Sequence, residues 1–442
     1  MKNQGFDRVP RSTTIWLCNL VVVFLGVASL AQPVSGQMLP NAKPEEVGFS
    51  AERLQRLDAA MQQKVDEKQL AGIVTVLARH GKVVEFKTYG KKDLASAAPM
   101  ERNTIFRIYS MTKPVTGAAM MMLYEEGRWQ PDDPISKYIP EFAHLKVFKG
   151  VDNNGEPILE DPVHPPTMLQ LMTHTAGFSY GFGTHLVDKM YSEKRVLQSS
   201  TLQEMIDKLA KLPLLYEPGT RWVYSLSVDI QGYLVEKLSG KSLPDFMRER
   251  IFEPLGMKDT GFYVPQEKMD RLATLYRVNE KNEWAPASGG DALGLDFSKQ
   301  PTMPSGGGGL VSTAQDYLRF AQMLLNGGEL DGVRILAPPT VRFMTSNHLP
   351  DKLLTGEFGV GLQHMRPGMG FGFDVAVFFD PAQAVDITGK GTFLWDGAAG
   401  TWFWIDPTDD VVFVGMIQRM GGGGVNMQTF SRAMVFQALV KP

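Results

Sequence analysis

Cysteine is almost absent from this chain: its 442 residues include one, Cys18, in an apolar segment near the N-terminus. The rest of the chain therefore holds no thiol nucleophile, no disulfide and no cysteine-ligated zinc site. The chain also has no large excess of either charge, because 45 Lys and Arg residues nearly balance 48 Asp and Glu residues and leave a net charge of −3. No nucleic-acid partner is predicted from this balance. The seven histidines show no H-E-x-x-H or similar spacing, so no metal site is predicted.

A long apolar run occurs at the N-terminus, where residues 15–31 follow a basic start. The run is short for a membrane span and ends in small residues, a pattern typical of a secretory signal peptide over residues 1–36. Cleavage after Ala31 or Gly36 would release a periplasmic or extracellular protein with no stable membrane insertion. A retained N-terminal anchor is the alternative.

Strand patterns concentrate at the two ends of the remaining chain, and helical patterns lie between them. Ser50 is placed as the N-cap of an amphipathic helix. Two β-rich runs flank the turn His80-Gly81, as in a hairpin. Further strand patterns lie between residues 373 and 418, and a helix closes the chain.

These patterns predict an α/β fold of the α+β type, with an antiparallel sheet built from both ends of the chain and flanked by helices. We expect a discontinuous α/β domain over residues 38–130 and 305–442, and an inserted, mostly helical domain over residues 131–304. Two glycine runs, 306–309 and 421–424, lack the Lys-Ser/Thr of a phosphate-binding P-loop and are interpreted as loops.

The stretch Gly177-Phe-Ser-Tyr-Gly181 matches G-x-S-x-G, the nucleophile elbow of α/β-hydrolases. An elbow serine lies at a sharp turn between a buried strand and a helix. Ser179 instead follows a helical pattern that starts after Pro166, and a glycine-rich loop comes next. Because the structural context is absent, Ser179 is not expected to be a nucleophile.

A second serine motif, Ser110-Met-Thr-Lys113, stands at the start of an apolar helical pattern that ends at Gly127. Pro114 is tolerated in the first turn of a helix, so this helix must begin close to Ser110. Residues three apart share a helix face, which brings the Lys113 amine to the Ser110 hydroxyl. Burial and the helix dipole lower the pKa of such a lysine towards that of a usable base. The alternative is a solvated lysine at a helix end, with Ser110 as a capping residue.

Together with the stretches DDPISKYIPEF, LQLMTHTAGF and GGGGLVSTAQDYLRFAQMLLNGG, the segment YSMTKPVTGAAMMMLYEEG resembles the serine β-lactamase-like superfamily. Within it, the chain is similar to the class C β-lactamase-related carboxylesterases of family VIII. The resemblance covers most of the chain after the N-terminal segment. It implies a β-lactamase/penicillin-binding transpeptidase-like fold with the active site in a cleft between domains, and it makes the G-x-S-x-G match incidental.

The second motif of that family falls on Tyr224-Ser225-Leu226. A buried phenol beside a lysine ammonium can have a lowered pKa and relay a proton, which is the role that the resemblance implies for Tyr224. The alternative is a core tyrosine with a satisfied hydroxyl. Leu226 replaces the asparagine of the β-lactamases and is expected at the substrate.

The third motif falls on Trp395-Asp396-Gly397. The resemblance places Trp395 and Gly397 at the substrate, and the backbone N–H of Ala398 with that of Ser110 in an oxyanion hole. A glycine is common at the position of Asp396 in the esterases, and the sequence does not indicate where this carboxylate points.

The sequence therefore predicts a serine carboxylesterase that acts on short-chain esters through an acyl-enzyme on Ser110, with Lys113 and Tyr224 as general base and acid. Its partner is a small-molecule ester, and no cofactor or metal is needed. The alternative is a class C-like β-lactamase or a D-alanyl-D-alanine carboxypeptidase. A transacylase or a non-catalytic binding protein of the same fold also remains open, and the oligomeric state is not indicated.

Overall fold

The structure is a computed structural model that describes residues 38–281, 283–287, 294–354, 359–360, 367–421 and 426–441, besides Met1 and Gly5. The chain divides into a short N-terminal unit, Met1–Pro33, and a second unit, Val34–Pro442. The predicted signal peptide over residues 1–36 lies outside the described residues apart from Met1 and Gly5, and it stays a prediction. Within the described ranges, no helix is both long and apolar enough to cross a membrane.

The α-helices of the described residues are α1 (Ala51–Asp66), α2 (Thr112–Glu125), α3 (Met168–Met172), α4 (Leu186–Glu193), α5 (Leu202–Leu209), α6 (Ser227–Ser239), α7 (Leu243–Met247), α8 (Glu253–Leu255), α9 (Ala314–Leu325), α10 (Pro338–Met344) and α11 (Met427–Phe436). The strands are β1 (Gly72–Arg79), β2 (Lys82–Gly90), β3 (Phe106–Arg107), β4 (Val147–Val151), β5 (Pro157–Glu160), β6 (Trp222–Val223), β7 (Tyr276–Val278), β8 (Trp284–Pro286), β9 (Val311–Ser312), β10 (Glu329–Leu330), β11 (Val333–Arg334), β12 (Gly359–Val360), β13 (Met369–Phe371), β14 (Ala376–Phe378), β15 (Phe393–Asp396), β16 (Trp402–Asp406), β17 (Val411–Met416) and β18 (Arg419–Gly421). Short 3₁₀ turns lie at Pro44–Val47, Tyr109–Met111, Ile135–Lys137, Pro140–His144, Val196–Gln198, Gln266–Arg271 and Asp351–Leu353, and a π-helical turn at Arg248–Phe252.

The main sheet has seven antiparallel strands in the order β13-β14-β15-β16-β17-β1-β2. The N-terminal hairpin β1-β2 thus pairs with strands from the C-terminal third, as the sequence predicts. His80 and Gly81 join β1 to β2 with φ values of 53° and 68°. Positive φ at both turn residues is the geometry of a tight hairpin turn. All eight residues of β1 are buried, because helices cover both faces of this part of the sheet.

Helices flank the sheet on its two sides. The amphipathic helix α1 packs against α11 and β2, and it buries Leu54, Leu57 and Met61. Ser50 caps it by accepting a hydrogen bond from the backbone N–H of Arg53. On the other side, α9 packs on β1, β16 and β17. The predicted fold class is therefore confirmed: helices cover an antiparallel sheet in a mixed α/β fold.

The segment between residues 131 and 304 contains α3 to α8 and is mostly helical. It also holds short strands that the sequence patterns do not predict, among them the hairpin β4-β5. Most residues of this hairpin are at least partly exposed, so no apolar alternation marks it. Its turn is held by the Asp152 carboxylate, which accepts the backbone N–H groups of Asn154 and Glu156. The division of the chain into two domains at residues 130 and 305 stays a prediction.

Candidate active site

Helix α2 is buried from Thr112 to Leu123, and Ser110 lies in the turn that precedes it. A 3₁₀ turn, Tyr109–Met111, leads directly into the helix, and Pro114 lies within the first helical turn. The expectation that the helix begins close to Ser110 is confirmed. Tyr109 is fully buried and has a φ of 41°, a left-handed conformation that a non-glycine residue rarely adopts. Such backbone strain is held by the surrounding packing and often marks a functional turn.

The Ser110 hydroxyl is the meeting point of two polar side chains. Lys113 Nζ lies 3.0 Å from Ser110 Oγ. Tyr224 OH lies 2.7 Å from the same oxygen. Tyr224 comes from the short link between β6 and α6, and α6 packs against α2. The structure therefore brings together the three side chains of the first and second sequence motifs at one oxygen atom.

Lys113 is fully buried, although it is charged at neutral pH in water. Its Nζ also donates to the carbonyl oxygen of Gly307 at 2.6 Å and lies 4.7 Å from the ring centre of Tyr224. Burial lowers the pKa of Lys113 to about 8, against the opposing charges of Asp229, Asp374 and Asp396. A lysine with this pKa is partly a free amine at neutral pH, so it can accept a proton from Ser110.

The pKa of Tyr224 moves in the direction opposite to the expected one. Part of the tyrosine remains exposed, yet burial is the largest effect and raises its pKa above the ordinary value. A hydrogen bond with Ser110 acts in the other direction but is the smaller effect. The free energy that the phenolate loses when it is removed from water is larger than the free energy that its hydrogen bonds supply. Tyr224 is consequently a neutral phenol in the resting site, and the free base beside Ser110 is Lys113.

The end of strand β15 forms another wall of the site. Trp395 is buried, and its ring centre lies 5.5 Å from that of Tyr224. A Cβ atom on Gly397 would lie 2.3 Å from the carbonyl oxygen of Ile108, so only glycine lets the strand approach the turn that carries Ser110.

Ala398, next along the chain, is exposed beyond the strand. Asp396 is half-buried, and its charge raises the pKa of Lys113, which places its electrostatic effect in the site.

Leu226 is fully buried in the core, and its backbone N–H donates to the carbonyl oxygen of Ser179. Its side chain has no exposed surface that a substrate could touch in this conformation. The expected contact between Leu226 and substrate stays a prediction, and it would require local movement at the start of α6.

Ser179 lies in a loop after α3, so the element directly before it is a helix and not the strand of a nucleophile elbow. Its hydroxyl donates to the Asp188 carboxylate and accepts the backbone N–H of Gly181 at 2.9 Å. These bonds close the loop, and the partners of the hydroxyl are a carboxylate and a backbone N–H rather than a lysine or histidine side chain. The neighbouring residue Tyr180 does reach the site, where Lys113 Nζ lies 5.3 Å from its ring centre.

The glycine run 306–309 has a role that the sequence interpretation missed. Its carbonyl groups face α2: Gly307 accepts from Lys113, and Gly306 accepts from the Thr116 hydroxyl at 2.7 Å. A Cβ on Gly307 would lie 2.7 Å from the Asp229 carboxylate. Side chains at Gly306 and Gly307 would collide with α6 and displace the run. The usable signal was four consecutive glycines ahead of a helix, which indicates close backbone approach as well as a loop. Of the second run, Gly421 ends β18, and residues 422–424 lie outside the described residues.

Buried acidic groups surround the back of Lys113 and were also missed. Asp229 accepts from Ser305 and from the backbone N–H of Gly307, and Asp374 accepts from Gln231. Burial raises the pKa of each carboxyl group. No sequence pattern links residues so far apart. In the ranges that the structure describes, no group of three acidic, histidine or cysteine side chains could hold a metal ion.

Comparison with known proteins identifies the family to which the chain is similar. A family model described as Beta-lactamase matches residues 57–433. Protein Rv1367c of Mycobacterium tuberculosis is 37% identical over 369 residues, which are 82% of this chain and 89% of that protein. Esterase EstB of Burkholderia gladioli is 32% identical over 368 residues, 79% of this chain and 86% of that protein.

Among solved structures, the chain resembles EstCE1, described as a hydrolase with promiscuous acyltransferase activity. The TM-score is 0.73 at 29% identity, and the match covers 87% of this chain and 99% of that one. The predicted fold and the predicted resemblance are both confirmed by these similarities.

Proposed function

Because the chain belongs to the beta-lactamase family and is a serine hydrolase, we propose that it hydrolyses short-chain carboxylic esters through an acyl-enzyme on Ser110. The observation that carries this proposal is the pair of hydrogen bonds that Lys113 and Tyr224 make to one oxygen, Ser110 Oγ. A serine hydroxyl is a weak nucleophile until an adjacent base takes its proton. Here that base is one helical turn away and has a lowered pKa.

Acylation then follows from the positions of these groups. Ser110 Oγ attacks the ester carbonyl as its proton passes to the neutral amine of Lys113. The backbone N–H groups of Ser110 and Ala398 bind the oxyanion. When the tetrahedral intermediate collapses, the bond to the alkoxide breaks and Tyr224 donates its proton to the leaving oxygen. Lys113 reprotonates Tyr224, so the proton from the serine ends on the alcohol.

Deacylation uses the same groups in the reverse order. A water molecule attacks the acyl carbon while Tyr224 takes its proton and passes one to Lys113. The second intermediate collapses to the free acid, and Ser110 Oγ recovers its proton from Lys113.

The preference for esters over β-lactams follows from the absence of two β-lactam-binding side chains and from the aromatic wall beside Ser110. The β-lactamase motifs bind the substrate carboxylate and amide through a lysine and an asparagine, and here these positions hold Trp395 and Leu226. Aromatic rings continue from Trp395 through Tyr224 and Tyr180 to Phe182, with ring centres 5.0 to 5.5 Å apart. Phe182 is 63% exposed, so the aromatic surface reaches solvent. Uncharged, partly apolar substrates fit such walls best.

The test is a comparison of kcat/KM for p-nitrophenyl esters of increasing acyl length with kcat/KM for benzylpenicillin and a chromogenic cephalosporin. A lost hydrogen bond to a charged group is worth roughly 1.5–3 kcal/mol. We expect short-chain esters to exceed benzylpenicillin by at least about two orders of magnitude. Comparable efficiencies would overturn the esterase proposal in favour of the β-lactamase or peptidase alternative.

Transacylation shares the acyl-enzyme and is separated from hydrolysis by a second measurement. With an added primary alcohol, the ratio of new ester to free acid reports how the acyl-enzyme partitions between alcohol and water. Predominant hydrolysis at low millimolar alcohol supports the proposal, whereas predominant ester formation would make the protein a transacylase.

A further inference from the structure

His174 holds the backbone on both sides of Tyr224. Its carbonyl oxygen accepts the N–H of Val223 at 2.9 Å, and its ring atom Nδ1 accepts the N–H of Ser225 at 3.3 Å. Between these two bonds, the imidazole packs on the phenol ring with ring centres 5.1 Å apart. One residue thus contacts the residue before Tyr224, the residue after it and the side chain itself.

The backbone of His174 is unusual in a way that serves these contacts. Its φ is 57°, in the left-handed region that side chains other than glycine disfavour. This conformation ends the turn after α3 and points both the carbonyl group and the ring towards the link between β6 and α6. The link has little other regular structure, because β6 is two residues long and Leu226, the N-cap residue of α6, has no side chain that can cap the helix.

The ring is fully enclosed, and its Nδ1 atom lies 3.3 Å from the backbone nitrogen of Ser225 and 3.2 Å from the hydroxyl oxygen of the same residue. Because Ser225 N–H donates to Nδ1, that nitrogen carries the lone pair and the proton lies on Nε2. Nε2 lies 4.0 Å from the Asp374 carboxylate, and the rings of Trp222 and Phe371 pack on the remaining sides. Burial lowers the pKa of His174 well below its ordinary value, and the charge of Lys113 acts in the same direction. The imidazole therefore stays neutral and keeps its acceptor.

We propose that His174 is a positioning residue whose carbonyl oxygen and Nδ1 fix Tyr224 so that its hydroxyl reaches Ser110 Oγ. This inference rests on the proposed proton-donor role of Tyr224. The hydroxyl must lie within hydrogen-bond reach of both Ser110 and the leaving oxygen, and a displacement of about 1 Å in such a group costs roughly 100-fold in rate. Among the described residues, the hydrogen bonds and ring contacts of His174 include Tyr224 and its two neighbours but not Ser110, so we expect its effect to pass through Tyr224.

The experiment compares two amide substitutions at this position. In H174N the amide oxygen can occupy the place of Nδ1 and still accept from Ser225, whereas in H174Q the amide group falls near the place of Nε2. T173V is the matched control, because Thr173 is the buried neighbour whose hydroxyl bonds to Leu169 and Thr175 and not to the link that carries Tyr224. Y224F and the double variant H174Q/Y224F complete a mutant cycle.

We expect H174Q to lower kcat about 100-fold with KM changed less than about 3-fold, and H174N to recover most of the lost rate. T173V should stay close to the parent enzyme. The double variant should be no slower than Y224F, because the positioned hydroxyl is already gone. Thermal unfolding establishes that each variant is folded, and if H174Q does not fold, H174A, which also lacks the acceptor, enters the cycle in its place.

Two results would overturn the inference. One is a double variant whose loss is the product of the two single losses, which would mean that His174 acts independently of Tyr224. The other is a loss expressed in KM alone. A fully active Y224F would instead refute the proposed role of Tyr224 itself, so the two failures are distinguishable.

Discussion

The pH dependence of kcat/KM is the sharpest test of the mechanism, because Lys113, the proposed base, titrates within a pH range that is easily measured. Its pKa is lowered from 10.5 to about 8 by burial. The group must be deprotonated to accept a proton from Ser110, so kcat/KM should rise as the pH increases through this pKa. A general base with an ordinary lysine pKa would give a rise that continues well above pH 9.

The size of the effect follows from the fraction of free amine. With a pKa of about 8, about 1% of Lys113 is unprotonated at pH 6, about 10% at pH 7 and about half at pH 8. At pH 7 this is roughly 300-fold more free amine than an ordinary lysine provides. The logarithm of kcat/KM should therefore rise with a slope close to one up to pH 7 and level off above pH 8.

The assay should use a short-chain ester of an aliphatic alcohol, with the released acid followed by pH-stat titration, so that the leaving group does not titrate. D396N is the informative variant, because the charge of Asp396 raises the pKa of Lys113. Its removal should move the rise in kcat/KM to lower pH. D132N is the matched control, since Asp132 is exposed and is not among the carboxylates that act on Lys113.

Two outcomes would refute this reasoning. A kcat/KM that is constant from pH 6 to pH 9 would mean that Lys113 does not act as the titrating base. A shift of the D396N profile to higher pH would mean that the carboxylate affects the site by something other than its charge on Lys113.

Three further predictions address the nucleophile, the glycine run and export. S110A should abolish ester hydrolysis, whereas S179A should keep most of the parent kcat/KM and show a lowered Tm in thermal unfolding. A fluorophosphonate should label the peptide that contains Ser110. Equal losses of kcat/KM in folded S110A and S179A would contradict the assignment of the nucleophile. G307A should lower kcat about 10-fold or more, because its Cβ would lie 2.7 Å from a carboxylate oxygen and displace the carbonyl that holds the lysine; an unchanged kcat would show that this carbonyl is dispensable. We also propose that the protein is exported, and its mature form should begin after Ala31 or Gly36 on N-terminal sequencing, whereas an intact N-terminus in the membrane fraction would indicate an anchor.

Local sequence was sufficient wherever neighbouring residues decide the structure. His80-Gly81 predicted the hairpin between β1 and β2, since both residues tolerate the positive φ that the turn requires. Pro114 predicted where α2 begins, and that start placed Lys113 one turn from Ser110. The same reasoning separated this serine from Ser179, because a nucleophile is recognised by the elements around it rather than by a five-residue pattern.

The role of Tyr224 was predicted only from the family resemblance. No local pattern connects this residue to Ser110, because the two positions differ by 114 in the chain. The exposed hairpin β4-β5 was not predicted, because an element with little buried surface leaves no apolar periodicity in the sequence. The resemblance also placed Leu226 at the substrate, whereas the structure encloses its side chain in the core.

The sequence by itself thus determined the sheet-forming ends of the chain, the start of α2 and the Ser110–Lys113 pair, because short-range sterics and helix geometry decide these features. The sequence also predicted that the pKa of Lys113 is lowered, but only the tertiary structure decided the size of that change, the raised pKa of Tyr224 and the effect of Asp396. A pKa depends on how much water the fold removes and on which charges it brings near. Both are properties of packing between distant segments, such as Gly307 and Lys113, which lie 194 residues apart in the chain and 2.6 Å apart in the site.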